Sequence, residues 1–159
     1  MNIDKREIYA VMFGKSINPD SRLIVSNVPE YKLMHKKPLK WDISLKQVDC
    51  DIVAYKFVNG YRKGKFNSGE QLLKNTKLRF EIKSNAQGQY KIYWRVTNTG
   101  EEANRARCLR GDFYESSIKR GKKVREESTA YKGTHTVECF IIKGDLCIGN
   151  SKPFIVNVI

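Results

Sequence analysis

Residues 90–96, Tyr-Lys-Ile-Tyr-Trp-Arg-Val, are the stretch of sequence that decides the fold. Nearly every position holds an aromatic or β-branched residue, types that fit a pleated, half-buried surface. The following Asn98-Thr99-Gly100 is typical of a turn, which Asn98 caps. The sequence therefore predicts a strand in which Trp94 faces the core of a sandwich. On its other face, Tyr93 or Arg95 could stack on a base.

Strand patterns recur on both sides of this stretch. Residues 78–82 alternate apolar and charged side chains, which indicates a half-buried strand. Residues 135–142 and 154–159 are rich in β-formers, whereas the polar stretches 63–70 and 115–128 are predicted as loops. About seven strands separated by Gly, Asn and Asp turns predict an all-β fold. We expect an antiparallel immunoglobulin-like β-sandwich with a short N-terminal extension.

The length of 159 residues fits one domain. Residues 1–37 differ from the rest and are predicted as an N-terminal extension or linker. They hold the segment 5–13, which could form a short helix or strand, and the turn signal Asn18-Pro19-Asp20-Ser21. Residues 38–159 are predicted as the β-sandwich domain.

The composition points to an anionic partner. The net charge is +13, with 30 Lys and Arg against 17 Asp and Glu. A basic surface attracts anions, although it says nothing about fold. The excess is spread along the chain, so a generally basic, soluble surface is an equal alternative. With 40% hydrophobic residues the chain is not of the disordered class. The sequence has no membrane-spanning run and no signal-peptide pattern, so we expect a cytoplasmic protein.

The sequence offers no metal or catalytic pattern. The two histidines, His35 and His135, are far apart, and no cysteines form a C-x-x-C pair. A zinc site needs closely spaced ligands, so neither a metal nor a cofactor is expected. Phosphate-loop and dinucleotide fingerprints are also missing. No nucleophile, base and carboxylate set can be assembled, so we expect no enzyme. The four cysteines, expected to stay reduced, are Cys50, Cys108, Cys139 and Cys147.

An ordered set of motifs in the second half resembles a known family. The motifs are Trp94–Ala103, Arg110-Gly111, Glu127-x-Thr129-x-Tyr131-x-Gly133-x-His135-x-Val137-Glu138-Cys139 and Ser151-x-x-Phe154-x-Val156, with Pro38-Leu39-Lys40-Trp41 at the entry. This order resembles the adenylyl/guanylyl cyclase and SMODS C-terminal sensor domain. That domain usually follows nucleotidyltransferases that make second messengers in bacterial anti-phage defence. The resemblance implies a nucleotide sensor without activity of its own, either stand-alone or excised from a longer protein.

Arg110-Gly111 is the first candidate site. Guanidinium gives a planar two-point grip on phosphate, and glycine lets the backbone approach a ligand. The alternative is a turn with a surface arginine. The resemblance favours the binding interpretation.

A second candidate site is the alternating set Thr129, Tyr131, Gly133 and His135. On a strand these residues share one face. Their hydroxyl, phenol and imidazole groups suit a base or ribose better than a core. The alternative is that Tyr131 is a core aromatic, Gly133 a bulge and His135 a structural histidine.

Basic residues mixed with aromatics form two further candidates. One is the segment 105–125, which contributes Arg105 and Arg125, and the other is the segment 61–66. Such mixtures suit the phosphates and bases of a cyclic oligonucleotide or a single strand, although a solvated loop is the alternative. Trp41 could stack on a base or close one end of the core.

Three functions remain open at this point. The leading hypothesis is a sensor that binds a nucleotide-derived anionic ligand, such as a cyclic-oligonucleotide second messenger. The alternatives are a general single-stranded nucleic-acid binder and a protein-interaction module that docks on a nucleotidyltransferase or effector. The predicted ligand-binding residues are Trp41, Arg105, Arg110, Gly111, Arg125, Thr129, Tyr131 and His135.

Overall fold

The predicted central strand is present. The computed structural model describes residues 24–159, and strand β6 covers Lys91–Thr97. Trp94 is fully buried in the core, while Tyr93 and Arg95 lie on the opposite face of the strand. The predicted helix or strand at residues 5–13 and the turn at residues 18–21 lie outside the described residues.

One sheet is built around the long strand β10 (Gly133–Lys143). On one side β10 pairs with β6, which pairs in turn with a short edge strand. On its other side the first half of β10 pairs with one strand and the second half with another. Two two-residue strands add parallel pairs at the far edges. The strands of this sheet, besides β6 and β10, are β1 (Asp42–Ile43), β4 (Gln71–Leu72), β7 (Phe113–Glu115), β11 (Leu146–Asn150) and β12 (Phe154–Val158).

The other sheet is antiparallel throughout, in the order β3-β2-β5-β9-β8. Side chains of β2 and β5 alternate between the core and the outside, as the period of two predicts. The strands are β2 (Cys50–Val58), β3 (Tyr61–Phe66), β5 (Lys77–Ser84), β8 (Ser117–Lys119) and β9 (Lys122–Ser128).

The core lies between the two sheets, which confirms the predicted β-sandwich. Phe66 and Phe80 of one sheet meet Phe154 of the other edge to face, with ring centroids 5.4 and 5.7 Å apart. Cys139 lies in this core, whereas Cys147 lies in an apolar cluster on the outer face of the β10 sheet. All four cysteines are free thiols.

The prediction of a loop over residues 63–70 is wrong for residues 63–66, which belong to β3. The prediction of a loop over residues 115–128 is wrong as well, because this polar stretch forms the β8–β9 hairpin. Its turn is Arg120-Gly121, where both residues have positive φ, 50° and 75°. Cross-strand ion pairs join Lys119 to Glu126 and Lys122 to Glu81. The hairpin therefore forms without an alternating apolar pattern.

Two short helices complete the described chain. The first is a 3-10 helix over Glu30–Leu33, and the second, α1, covers Glu101–Arg105. Helix α1 follows β6 and leads into a loop, residues 106–112, that returns the chain to β7.

A cover segment, residues 35–41, lies across the outer face of the β10 sheet. The rings of Trp41 and Tyr93 are 4.7 Å apart, and those of Trp41 and Phe113 are 5.1 Å apart. The segment also covers a buried ion pair between Arg95 and Glu138, because Arg95 donates a hydrogen bond to the Lys37 carbonyl (2.7 Å). The predicted domain boundary at residue 38 falls inside this segment.

Candidate functional site

A cavity of about 490 Å³ opens at one end of the sandwich. Its floor is made of apolar side chains from both sheets, among them Phe80 of β5, Val96 of β6 and Val156 of β12. Polar and charged residues form the rim. The lining residues are Leu78, Phe80, Val96, Asn98, Arg107, Cys108, Leu109, Arg110, Glu127, Ser128, Thr129, Ala130, Tyr131, His135, Val137 and Val156.

Asn98 fixes the rim loop (residues 106–112) over the cavity. Its side-chain amide donates to the Cys108 carbonyl (2.7 Å), and its side-chain oxygen accepts from the Arg110 amide (2.5 Å). The Asn98 amide donates to the Arg110 carbonyl (3.2 Å). Asn98 was predicted to cap the turn at residues 98–100, but its side chain holds the rim loop instead and in doing so sets the position of Arg110.

Gly111 packs against the cover segment. A Cβ at this position would lie 2.4 Å from the carbonyl oxygen of His35. The Lys37 amide also donates to the Gly111 carbonyl (2.9 Å). Gly111 therefore allows the rim loop and the cover segment to meet, with Arg110 next to it in the cavity lining.

Arg110 and Arg125 share one carboxylate. Glu127 accepts from Arg110 at 2.6 Å through one oxygen and from Arg125 at 2.6 Å through the other. Its side chain is only 11% exposed. Both guanidinium groups also lie near the Tyr114 ring, 5.8 and 4.2 Å from its centroid. The cluster keeps one positive charge in excess of its carboxylate.

Arg110 remains protonated in the folded protein. Burial acts to lower the pKa of Arg110, but the hydrogen bond and attraction of Glu127 outweigh it and raise that pKa. The guanidinium is therefore a permanent cation at the cavity.

Both ring nitrogens of His135 are used within the protein. Nδ1 accepts from the Thr99 amide (3.0 Å), which leaves Nε2 to donate to the Tyr131 carbonyl (3.0 Å). Burial lowers the pKa of His135, and the charge of Arg110 acts in the same direction. His135 thus lines the cavity as a neutral ring that ties β10 to the end of β6.

The lowered pKa predicts a loss of stability in mild acid. The unfolded histidine takes up a proton near pH 6.5, before the folded one does. The contribution of His135 is therefore complete above about pH 6.5 and declines as the pH falls below it. In urea unfolding between about pH 5 and 7, His135→Asn should show a weaker pH dependence than the wild type. His35→Asn is the matched control, and an unchanged slope for His135→Asn would contradict the assignment.

Thr129 and Tyr131 occupy the link between the two sheets. The Thr129 hydroxyl donates to the Leu73 carbonyl (2.7 Å) and accepts from the Thr76 amide (2.8 Å). The pKa of Tyr131 is raised by its hydrogen bond with Cys108. The expected continuous strand over 129–135 is wrong, because β9 ends at Ser128 and β10 begins at Gly133. Even so, Thr129, Tyr131 and His135 all line the cavity, because the link crosses at its mouth.

The other predicted site residues lie elsewhere. Trp41 belongs to the outer cluster of the cover segment, and Gly111, although part of the rim loop, faces the cover segment and is not in the cavity lining. Arg105 is exposed and pairs with Glu101 within α1 (2.6 Å). Arg125 contacts Glu127 but is not part of the lining.

Some lining residues were not proposed as binding residues from the sequence. Glu127 was noted only as the start of a motif, yet its spacing of two from Thr129 was the available signal. Arg107 lies in the basic segment 105–125, but nothing in that segment singles it out; its positive φ of 54° turns the rim loop. Cys108 has no motif of its own.

Two general findings limit the chemistry of the described residues. Within residues 24–159, no group of three His, Cys, Asp or Glu side chains could hold a metal ion. No helix in this part of the chain has the length and apolar character needed to cross a membrane.

Comparison with known proteins gives a family. No curated protein matches the chain. The family model of the Adenylyl/Guanylyl and SMODS C-terminal sensor domain matches residues 27–159, which include the cover segment, both sheets and the cavity. The resemblance noted in the sequence is confirmed, and the chain belongs to the adenylyl/guanylyl and SMODS C-terminal sensor domain family.

Proposed function

We propose that the cavity binds a nucleotide or cyclic-oligonucleotide second messenger, and that the domain is a cytoplasmic sensor in bacterial anti-phage signalling. The observation that carries the proposal is the position of Arg110, a permanent cation in the polar rim above an apolar floor. In this proposal a nucleotidyltransferase or effector protein receives the signal. The four free thiols suit the reducing cytoplasm.

The cavity suits both the base and the phosphate of such a ligand. Its volume of about 490 Å³ lies within the range of small-molecule sites. The floor of Phe80, Val96 and Val137 can take the face of a base. The guanidinium of Arg110 offers parallel N–H donors to a phosphate.

A phosphate can replace the carboxylate of Glu127 as the partner of Arg110. Glu127 holds Arg110 in the described structure, so an incoming phosphate must compete with it. Because Arg125 also binds Glu127, the carboxylate keeps a partner when Arg110 is released. The exchange therefore does not leave a buried charge unpaired, which would be costly.

The same geometry favours binding without chemistry. His135, the one histidine at the cavity, uses both ring nitrogens in backbone hydrogen bonds, so it is not poised to take a proton from a ligand. Glu127 is neutralised by two arginines. The family to which the chain belongs is a sensor domain, in keeping with this function.

The test is thermal unfolding in the presence of linear and cyclic nucleotides. A ligand at about 100 times its Kd should add about 2.7 kcal/mol to the free energy of unfolding. Arg110→Ala should remove this stabilisation, because the phosphate loses its cation. Arg105→Ala, a matched arginine outside the cavity, should keep it. A flat response of the wild type to the whole panel, or a full response of Arg110→Ala, would overturn the proposal.

A further inference from the structure

The outer face of the β2–β3–β5 sheet carries a regular arrangement of rings and cations. Tyr55 of β2 lies between Lys65 of β3 and Arg79 of β5 in the register of the sheet. The next row in the same direction places Phe57 between Arg62 and Lys77. Each row is therefore basic, aromatic, basic. We call these six residues the aromatic–basic face.

The two arginines of the face lie over the two rings. The guanidinium carbon of Arg62 is 3.4 Å from the Tyr55 ring centroid, and that of Arg79 is 5.0 Å from the Phe57 centroid. A stacked guanidinium keeps its own planar outer side, on which a base can stack.

The charge of the face is largely uncompensated. Arg79 pairs with Glu126, the one carboxylate on the neighbouring strand that reaches it. Within residues 24–159, Arg62, Lys65 and Lys77 form no ion pair. All three are exposed. The segment 105–125 is different, since five of its basic residues are paired with carboxylates: Arg105, Arg110, Lys119, Lys122 and Arg125.

We propose that the aromatic–basic face binds single-stranded nucleic acid, at a site separate from the cavity. Cations spaced along two strands hold successive phosphates, and the stacked guanidinium and ring planes receive bases. A base can stack on these guanidinium and ring planes only if it is not already stacked within a duplex. The face therefore prefers a single strand to a double helix.

The test is fluorescence anisotropy with a labelled oligothymidylate of about 20 nucleotides, longer than the site of a single small fold. Arg62→Glu/Lys65→Glu should weaken binding at least tenfold at about 50 mM salt. It should also lower the slope of log K against log salt by about 1.4, which is the contribution of two phosphate contacts on a single strand.

The matched control is Lys46→Glu/Lys152→Glu, which changes the net charge equally at two exposed lysines outside the face. It should bind within about twofold of the wild type. Arg110→Ala should bind the oligonucleotide normally, which separates this site from the cavity. If glutamates disturb β3, Arg62→Ala/Lys65→Ala serves the same purpose, with a reduced loss.

Three results would overturn the proposal. Equal losses in both double variants would show that net charge alone attracts the strand. Equal affinity for the corresponding duplex would show that the planes take no bases. Equal competition by polyglutamate of similar length would assign the face to acidic protein segments.

Discussion

Replacement of Glu138 by alanine is expected to lower the free energy of unfolding by about 3–5 kcal/mol, a large part of the stability of a domain of this size. Glu138 and Arg95 face each other across β6 and β10, and their side chains are only 8% and 9% exposed. Two hydrogen bonds of 2.8 and 2.9 Å join them. Without Glu138 the guanidinium of Arg95 stays buried beneath the cover segment, and among the described residues the Lys37 carbonyl is its one remaining hydrogen-bond partner.

Urea unfolding followed by circular dichroism measures the effect. Glu101→Ala is the matched control, because it breaks an ion pair whose side chains are 79% and 83% exposed and should cost less than about 1 kcal/mol. The double variant Arg95→Met/Glu138→Leu should recover most of the loss, since the only cation that loses its partner is Lys36, 3.9 Å from Glu138, whose side chain is 29% exposed and reaches water. A single variant as stable as the wild type would mean that water reaches Arg95 in solution.

Trp94→Ala is expected to cost about 3–5 kcal/mol for a different reason. The side chain is fully buried in the inner core, next to Phe80 with ring centroids 6.4 Å apart. Its removal leaves a void that the surrounding strands fill only in part. Because Phe80 is also part of the cavity floor, the variant should weaken ligand binding as well.

Two milder variants separate packing from hydrogen bonding. The indole Nε1 of Trp94 donates to the Ser116 hydroxyl at 2.6 Å. Ser116→Ala should cost about 1–3 kcal/mol, the penalty for leaving that donor without an acceptor. Trp94→Phe should fall between Ser116→Ala and Trp94→Ala in thermal unfolding. An equal loss from Ser116→Ala and Trp94→Ala would assign the effect to the hydrogen bond and not to volume.

The core strands could be predicted from the sequence because burial and alternation coincide in them. The apolar and β-branched residues in Tyr90–Val96 predict β6, and those in residues 135–142 predict β10. The hairpin β8–β9 could not be found in this way. Its strands are held by ion pairs such as Lys122–Glu81, and charged residues in a strand look like a loop.

Short and outer elements also escaped prediction. Strands β1 and β4 have two residues each, too few for any periodicity, and each is recognised by its parallel pairing with the edge of β11 or β12. The cover segment is similar. Lys36 and Lys37 look like linker residues, yet Lys37 binds Arg95 through its backbone carbonyl, a group that carries no sequence signal.

Some residues of the cavity could be predicted from the sequence and others could not. Motif order pointed to Arg110, and alternation brought Thr129, Tyr131 and His135 together although the assumed strand is a link between sheets. The spacing of two from Thr129 was the one signal for Glu127, and it did not reveal the partnership with two arginines, which depends on the fold. Trp41 was ambiguous, since a tryptophan beside a lysine fits a ligand site and an apolar cluster equally well.

The cavity floor limits how the ligand preference of this domain can change during evolution. Phe80, Val96 and Val137 are at once part of the floor and members of the buried core. A substitution there that admits a larger ligand also removes packing between the sheets, so a change of ligand preference lowers the stability of the domain. The rim residues Arg107, Leu109 and Tyr131 line the cavity but do not belong to the core. Descendants of one ancestral sensor can therefore diverge at the rim while their interiors stay alike.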